Sequence, residues 1–76
     1  METIIATIHA ASHAQKPMGF CYDREAQGRE RRQIIPDHDE PIRRNKRDEL
    51  YVIGEDLARG EPRSFKLDQI TEATTA

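Results

Sequence analysis

The stretch ELYVIGEDLARGEPRSFKLDQI, residues 49–70, decides the fold. Glu49 to Glu55 is the most apolar run of the chain and reads as a central strand buried on both faces. Asp56 to Pro62 carries the turn signal Ala58-Arg59-Gly60, so the chain should double back into a second strand. In that return strand Arg63, Phe65 and Leu67 alternate onto one face, which places an arginine at the head of an apolar row. The position of this guanidinium is the first functional clue.

Working upstream, Asp37 to Asp48 is charged, contains Pro41, and has Ile42 as its one large apolar residue, so it reads as a mobile loop over 37–48. Before it lies another hairpin. Met18, Phe20 and Tyr22 alternate with Gly19 and Cys21 in a strand over about 17–23. Asp23 to Gly28 is its loop, and about 29–35 is the return strand, stopped by Pro36, which cannot donate to a ladder. At the start, Ile4, Ile8 and Ala11 recur at i, i+4 and i+7, with Ile5 and Ser12 beside them. They describe a short amphipathic helix over about 3–14, with Thr3 as N-cap and Lys16-Pro17 as its end. Downstream of the second hairpin (strands about 49–55 and 62–68), the small polar tail from Thr71 to Ala76 is expected to fray. The expected architecture is a single α+β, mainly β domain over 1–76: an N-terminal helix followed by two hairpins that form a small antiparallel sheet or half-open barrel.

Size and charge narrow the function. A chain of 76 residues has room for one thin core and none for a separate catalytic domain, and 36% hydrophobic against 34% charged residues makes help from a partner chain plausible. The net charge of −2 argues against a polybasic nucleic-acid binder. Between Arg29 and Arg47, however, seven basic residues face four acidic ones, a local excess that could meet an anion. Cys21, the single cysteine, cannot form an internal disulfide, which fits a reducing compartment, and it reads as a small buried side chain. No apolar run reaches membrane-spanning length and no signal peptide is visible, so a cytoplasmic protein is expected. His9 and His13 have the i, i+4 spacing of zinc ligands, but no third ligand accompanies them, and they read as polar-face residues. Asp37-His38-Asp39-Glu40 is rich in acid and base but lies in a loop that would not hold a catalytic geometry. Neither an enzyme, nor a metal, nor a cofactor is expected.

Four pieces in order resemble the WYL domain, a family named for a Trp-Tyr-Leu triplet. Leu50-Tyr51-Val52 followed by Ile53-Gly54-Glu55-Asp56 is similar to the triplet and its strand. Arg63-Ser64-Phe65-Lys66-Leu67-Asp68-Gln69-Ile70 is similar to the family's Arg-x-Phe-x-Leu-Asp-Arg-Ile strand. Tyr22, and Arg32-Gln33-Ile34-Ile35-Pro36, look like its upstream Tyr and Arg-x-Val-x-Pro segment. Leu50 stands where the family has its tryptophan, and Gln69 where it has a second arginine. The resemblance covers about Ile4 to Ile70. It implies an Sm-like, SH3-type barrel that usually accompanies a winged-helix DNA-binding domain in bacterial and phage-defence transcription regulators and senses a nucleotide or nucleic-acid ligand. Met1 at the start favours a free-standing module over an excised one.

Two functions follow from these residues. In the first, the chain is a non-enzymatic regulatory module that binds an anionic ligand, a nucleotide or single-stranded nucleic acid. Arg63 and Arg32 would hold the anion, Tyr51 and Tyr22 would offer ring surface, and Gln69 would stand at the family's second arginine. In the second, the chain is an interaction or oligomerisation module whose barrel edge pairs with a second copy or a regulatory protein. For Arg63 a purely structural role, paired with Glu49, Glu55 or Glu61 across the hairpin, has equal weight. Core packing is the simpler role for both tyrosines.

Overall fold

The computed structural model describes residues 2–24 and 28–75. The elements are α1 (Glu2–Ala14), β1 (Met18–Asp23), β2 (Arg29–Pro36), β3 (Ile42–Arg44), β4 (Leu50–Asp56), β5 (Glu61–Lys66), a 3₁₀ turn (Leu67–Gln69) and β6 (Ile70–Thr75). All strand pairs are antiparallel, in the order β3-β4-β2-β1-β6, with β5 on the other edge of β4. The result is the expected class: one helix and a curled antiparallel sheet forming a half-barrel. The core is Met18 and Phe20 of β1, Ile34 of β2, Val52 of β4, Phe65, Leu67 and Ile70, closed at one end by Ile8 and Ala11 of α1.

The helix buries the face its spacing describes. Ile8, Ala11 and Ser12 are buried, Ile4 and Ile5 half-buried, and His9 and His13 lie on the exposed side. It begins at Glu2, so Thr3 lies inside the first turn and is not the N-cap. It ends in a Schellman motif: the Lys16 N–H reaches the Ala11 carbonyl at 3.0 Å and the Gln15 N–H the Ser12 carbonyl at 3.2 Å, with Gln15 in the left-handed region. The expected β1–β2 loop, Asp23 to Gly28, includes residues 25–27, which lie outside the described residues.

Three expectations need correction. The segment 37–48 is not all loop, because Ile42–Arg44 pairs with Leu50–Val52 as β3. The intervening turn is built by Asn45, whose Oδ1 accepts the N–H groups of Arg47 and Glu49 at 2.9 and 3.0 Å while its Nδ2 donates to Glu49 Oε1 at 3.1 Å. The Nδ2 bond also holds the Glu49 carboxyl below the usual carboxylate range, with Lys66 adding to the effect. The C-terminal segment does not fray up to Thr75 but forms β6 along β1. A bulge puts one extra residue into β6, with Glu72 at φ +53°, and this aims the Glu72 carboxylate at Cys21 Sγ (2.9 Å) and Arg29 (3.2 Å). Finally, β4 is central but buried on one face only: Val52, Gly54 and Asp56 point inward, whereas Tyr51 and Ile53 are half-buried and Glu55 is exposed.

At Gly54 the backbone of β2 leaves no room for a side chain on β4. A Cβ there would lie 2.6 Å from the Ile35 carbonyl oxygen and 3.0 Å from the Pro36 Cα, both backbone atoms that cannot swing aside. Replacing Gly54 with alanine should therefore cost about 1–3 kcal/mol, read as a lower urea midpoint at unchanged m-value.

The hydrogen bond from Cys21 and the charge of Arg29 lower the Glu72 carboxyl below the usual carboxylate range. A depressed folded-state pKa stabilises above the unfolded value and ceases to do so as pH falls through the folded one. Unfolding midpoints from pH 6 to pH 2 should accordingly fall less steeply in Glu72→Gln than in the parent on the acid side of about pH 4.5. Identical acid limbs would remove Glu72 from the account.

Candidate functional site

β1 ladders to β2 and β6, and β5 to β4, so the seam where β1 and β5 approach each other is bridged by side chains and not by a strand ladder. The Lys66 N–H donates to the Tyr22 hydroxyl at 3.1 Å. The Tyr22 ring meets Phe65 edge-on (centroids 4.9 Å apart, planes at 80°), and Phe20 stands edge-on to both. Tyr22 is thus fixed at both ends, its ring in the aromatic cluster and its hydroxyl on the β5 backbone.

A cleft of about 360 Å³ opens over this seam. Its floor is Tyr22 and Phe65, and its walls carry Arg24, Arg32, Arg63 and Gln69, with Ser64 and Lys66 completing the lining. Four of the five residues expected at the site therefore converge: Arg32, Arg63, Tyr22 and Gln69. Tyr51 does not join them. Its register partner is Lys66, and it lies with Ile53 and Asn45 in a neighbouring groove that shares only Tyr22, Ser64 and Lys66 with the cleft. An odd position in β4 sends it to the outer face, away from Val52 and Gly54.

The two expected arginines differ in freedom. Arg32 has a side chain 8% exposed, with its guanidinium carbon 5.9 Å from the Phe65 ring centroid. Its Nη1 faces Asp56 Oδ2 at 3.5 Å and its Nη2 donates to Glu30 Oε2 at 2.5 Å. Arg63 is 30% exposed, and Glu61, two residues earlier on the same strand, reaches it only at 4.0 Å. Such an exposed pair is worth little and leaves the fork available. The row that begins with Arg63 thus has a physical logic: Phe65 and Leu67 enter the core while the guanidinium ends at the cleft mouth.

Arg24 and Lys66 line the cleft without having been singled out in the sequence, and Asp56 supports it from beneath. Arg24 sits in the β1–β2 connection, where nothing local signals a site. Asp56 did carry a signal. It continues the inward parity of Val52 and Gly54, and a carboxylate at an interior position requires a buried cation. Among the described residues no group of three or more His, Cys, Asp or Glu side chains could hold a metal ion, and no helix is long and apolar enough to cross a membrane.

A model of the WYL domain family matches residues 3–75. Among solved structures the chain is similar to proteasome accessory factor B/C (PafBC) of Arthrobacter aurescens, at 26% sequence identity and a TM-score of 0.77. That match covers 95% of this chain and 11% of PafBC. No curated protein matches.

The Asp56 carboxylate has no exposed surface, its Oδ1 accepts the Ala58 N–H at 3.0 Å, and its Oδ2 faces Arg32. Asp56→Ala would strand the Arg32 charge in the interior, and a loss of about 3–5 kcal/mol is expected in chemical denaturation. A loss below about 1 kcal/mol would show that water or Glu30 compensates Arg32 fully.

Proposed function

The chain belongs to the WYL domain family, and from that premise we propose that it is a non-enzymatic regulatory module that senses an anionic ligand, a nucleotide or single-stranded nucleic acid, in the cleft between β1 and β5. One observation carries this reading. Arg24, Arg32 and Arg63 converge on a single concave site in a chain whose net charge is −2. A guanidinium fork is suited to bidentate contact with phosphate, and the fixed Tyr22 and Phe65 rings limit the side-chain ordering that binding would otherwise cost. The Tyr51 and Ile53 groove beside the cleft offers a surface on which a base could lie, so that Tyr51 contributes from the neighbouring face. Gln69 supplies a neutral donor and acceptor at the cleft wall. Transcription regulation is the setting that the family implies.

Fluorescence anisotropy with a labelled thymidine oligonucleotide, and with mononucleotides as competitors, tests the reading at low and moderate salt. Saturable binding that weakens as salt rises is expected, because phosphate contacts release counterions. Arg63→Ala should bind about tenfold more weakly or worse, the worth of a charge-assisted contact. Absence of binding at low salt, or an Arg63→Ala variant indistinguishable from the parent, would refute it.

A further inference from the structure

Arg32 is held by two carboxylates of unequal freedom. Asp56 is wholly buried and also caps the β4–β5 turn through the Ala58 N–H, so withdrawing it would uncover charge in the core. Glu30 reaches Arg32 from the same strand, two residues earlier, and its side chain is 38% exposed. Water can replace its hydrogen bonds at small cost. The same Glu30 oxygen, Oε2, also lies 3.9 Å from Arg24 Nη1. A single carboxylate oxygen thus bridges two of the three arginines that line the cleft, the position that an oxygen of a phosphate would take between two guanidinium groups. The Arg32 Nε is buried without a hydrogen-bond partner, so this guanidinium retains an unused donor.

We infer that Glu30 is an internal anion that occupies the Arg24–Arg32 pair and that an incoming ligand must displace. This deepens the anion-binding reading above and rests on it. The gate makes the cleft selective for concentrated negative charge. A phosphomonoester or pyrophosphate group brings more than the single charge it expels, whereas a monocarboxylate merely exchanges like for like. Arg63, whose acid neighbour Glu61 is 4.0 Å away and 59% exposed, makes the first contact, and Arg32 becomes available only when Glu30 swings to solvent.

The test titrates inorganic pyrophosphate into the parent, Glu30→Gln and Arg63→Ala proteins by calorimetry, and follows the Glu30 side-chain carboxyl carbon by NMR in the parent. Glu30→Gln should bind pyrophosphate about fivefold tighter, the equivalent of one lost surface ion pair. In the parent the Glu30 carboxyl signal should move toward that of a solvated glutamate as pyrophosphate saturates, a change that a merely structural pair would not show. Should Glu30→Gln fold poorly, this signal decides alone. Pyrophosphate binding that Arg63→Ala loses but Glu30→Gln leaves unchanged or weakens, with a stationary carboxyl signal, overturns the gate and leaves the anion site intact. If pyrophosphate binds neither the parent nor Glu30→Gln, the gate is overturned, and oligonucleotide binding then decides separately whether the cleft is an anion site.

Discussion

Asp56, with no exposed surface, and Arg32, with 8% of its side chain exposed, meet at 3.5 Å where β2 passes β4. Either group alone in that place would be strongly unfavourable, because a buried charge without a counter-charge loses its hydration for nothing. The pair therefore constrains everything around it. Ile34 and Asp56 are register partners, so slipping β4 by one residue would turn Val52, Gly54 and Asp56 outward together and break the fit of the Asp56 carboxylate to Arg32. The Asp56 Oδ1 bond to the Ala58 N–H and the Asp56 carbonyl bond to the Gly60 N–H at 2.7 Å then start the turn that delivers β5. Gly60, at φ +66°, supplies the left-handed step that completes it. From that turn follow the placement of Arg63 and the existence of the cleft.

The cleft's polarity grows out of the same constraint. β1 and β5 share no ladder, and a tyrosine hydroxyl on the Lys66 N–H links them instead. What remains open above Phe65 is lined by guanidinium groups of graded freedom. Arg32 is anchored below, Arg24 lies beside Glu30, and Arg63 is free enough to change partner. A site built in this way combines a rigid floor with an adaptable rim, the feature on which the anion-binding proposal draws.

Hydrophobic periodicity made most of the fold legible. The period-2 rows Met18, Phe20, Tyr22 and Arg63, Phe65, Leu67, and the 3.6-period row Ile4, Ile8, Ala11, each describe a face that the structure buries in whole or part. Segments without such rows were misread. β3 has one apolar residue in three and is held by the Asn45 turn, and β6 follows Ile70 with only Thr, Glu and Ala and has its ladder partner, β1, some fifty residues away in the chain. Polar strands at a sheet edge are stabilised by backbone pairing and by what they cover, and neither leaves a mark in local composition.

Sequence alone determined the helix, the two hairpins, the family resemblance and the arginine at the head of an apolar row, because each rests on local alternation or on a short ordered motif. Only the tertiary structure decided which of the candidate residues share a cleft. It brought Tyr22, Arg32, Arg63 and Gln69 together across a seam between strands distant in sequence, and it sent Tyr51 to the neighbouring groove. It also divided the arginines into one buried against Asp56 and one whose partner, Glu61, is solvent-exposed. The physical reason is common to both outcomes. Burial and pairing of charge depend on which groups meet in space, and in this chain those groups come from four different strands and from the connections that follow β1 and β5.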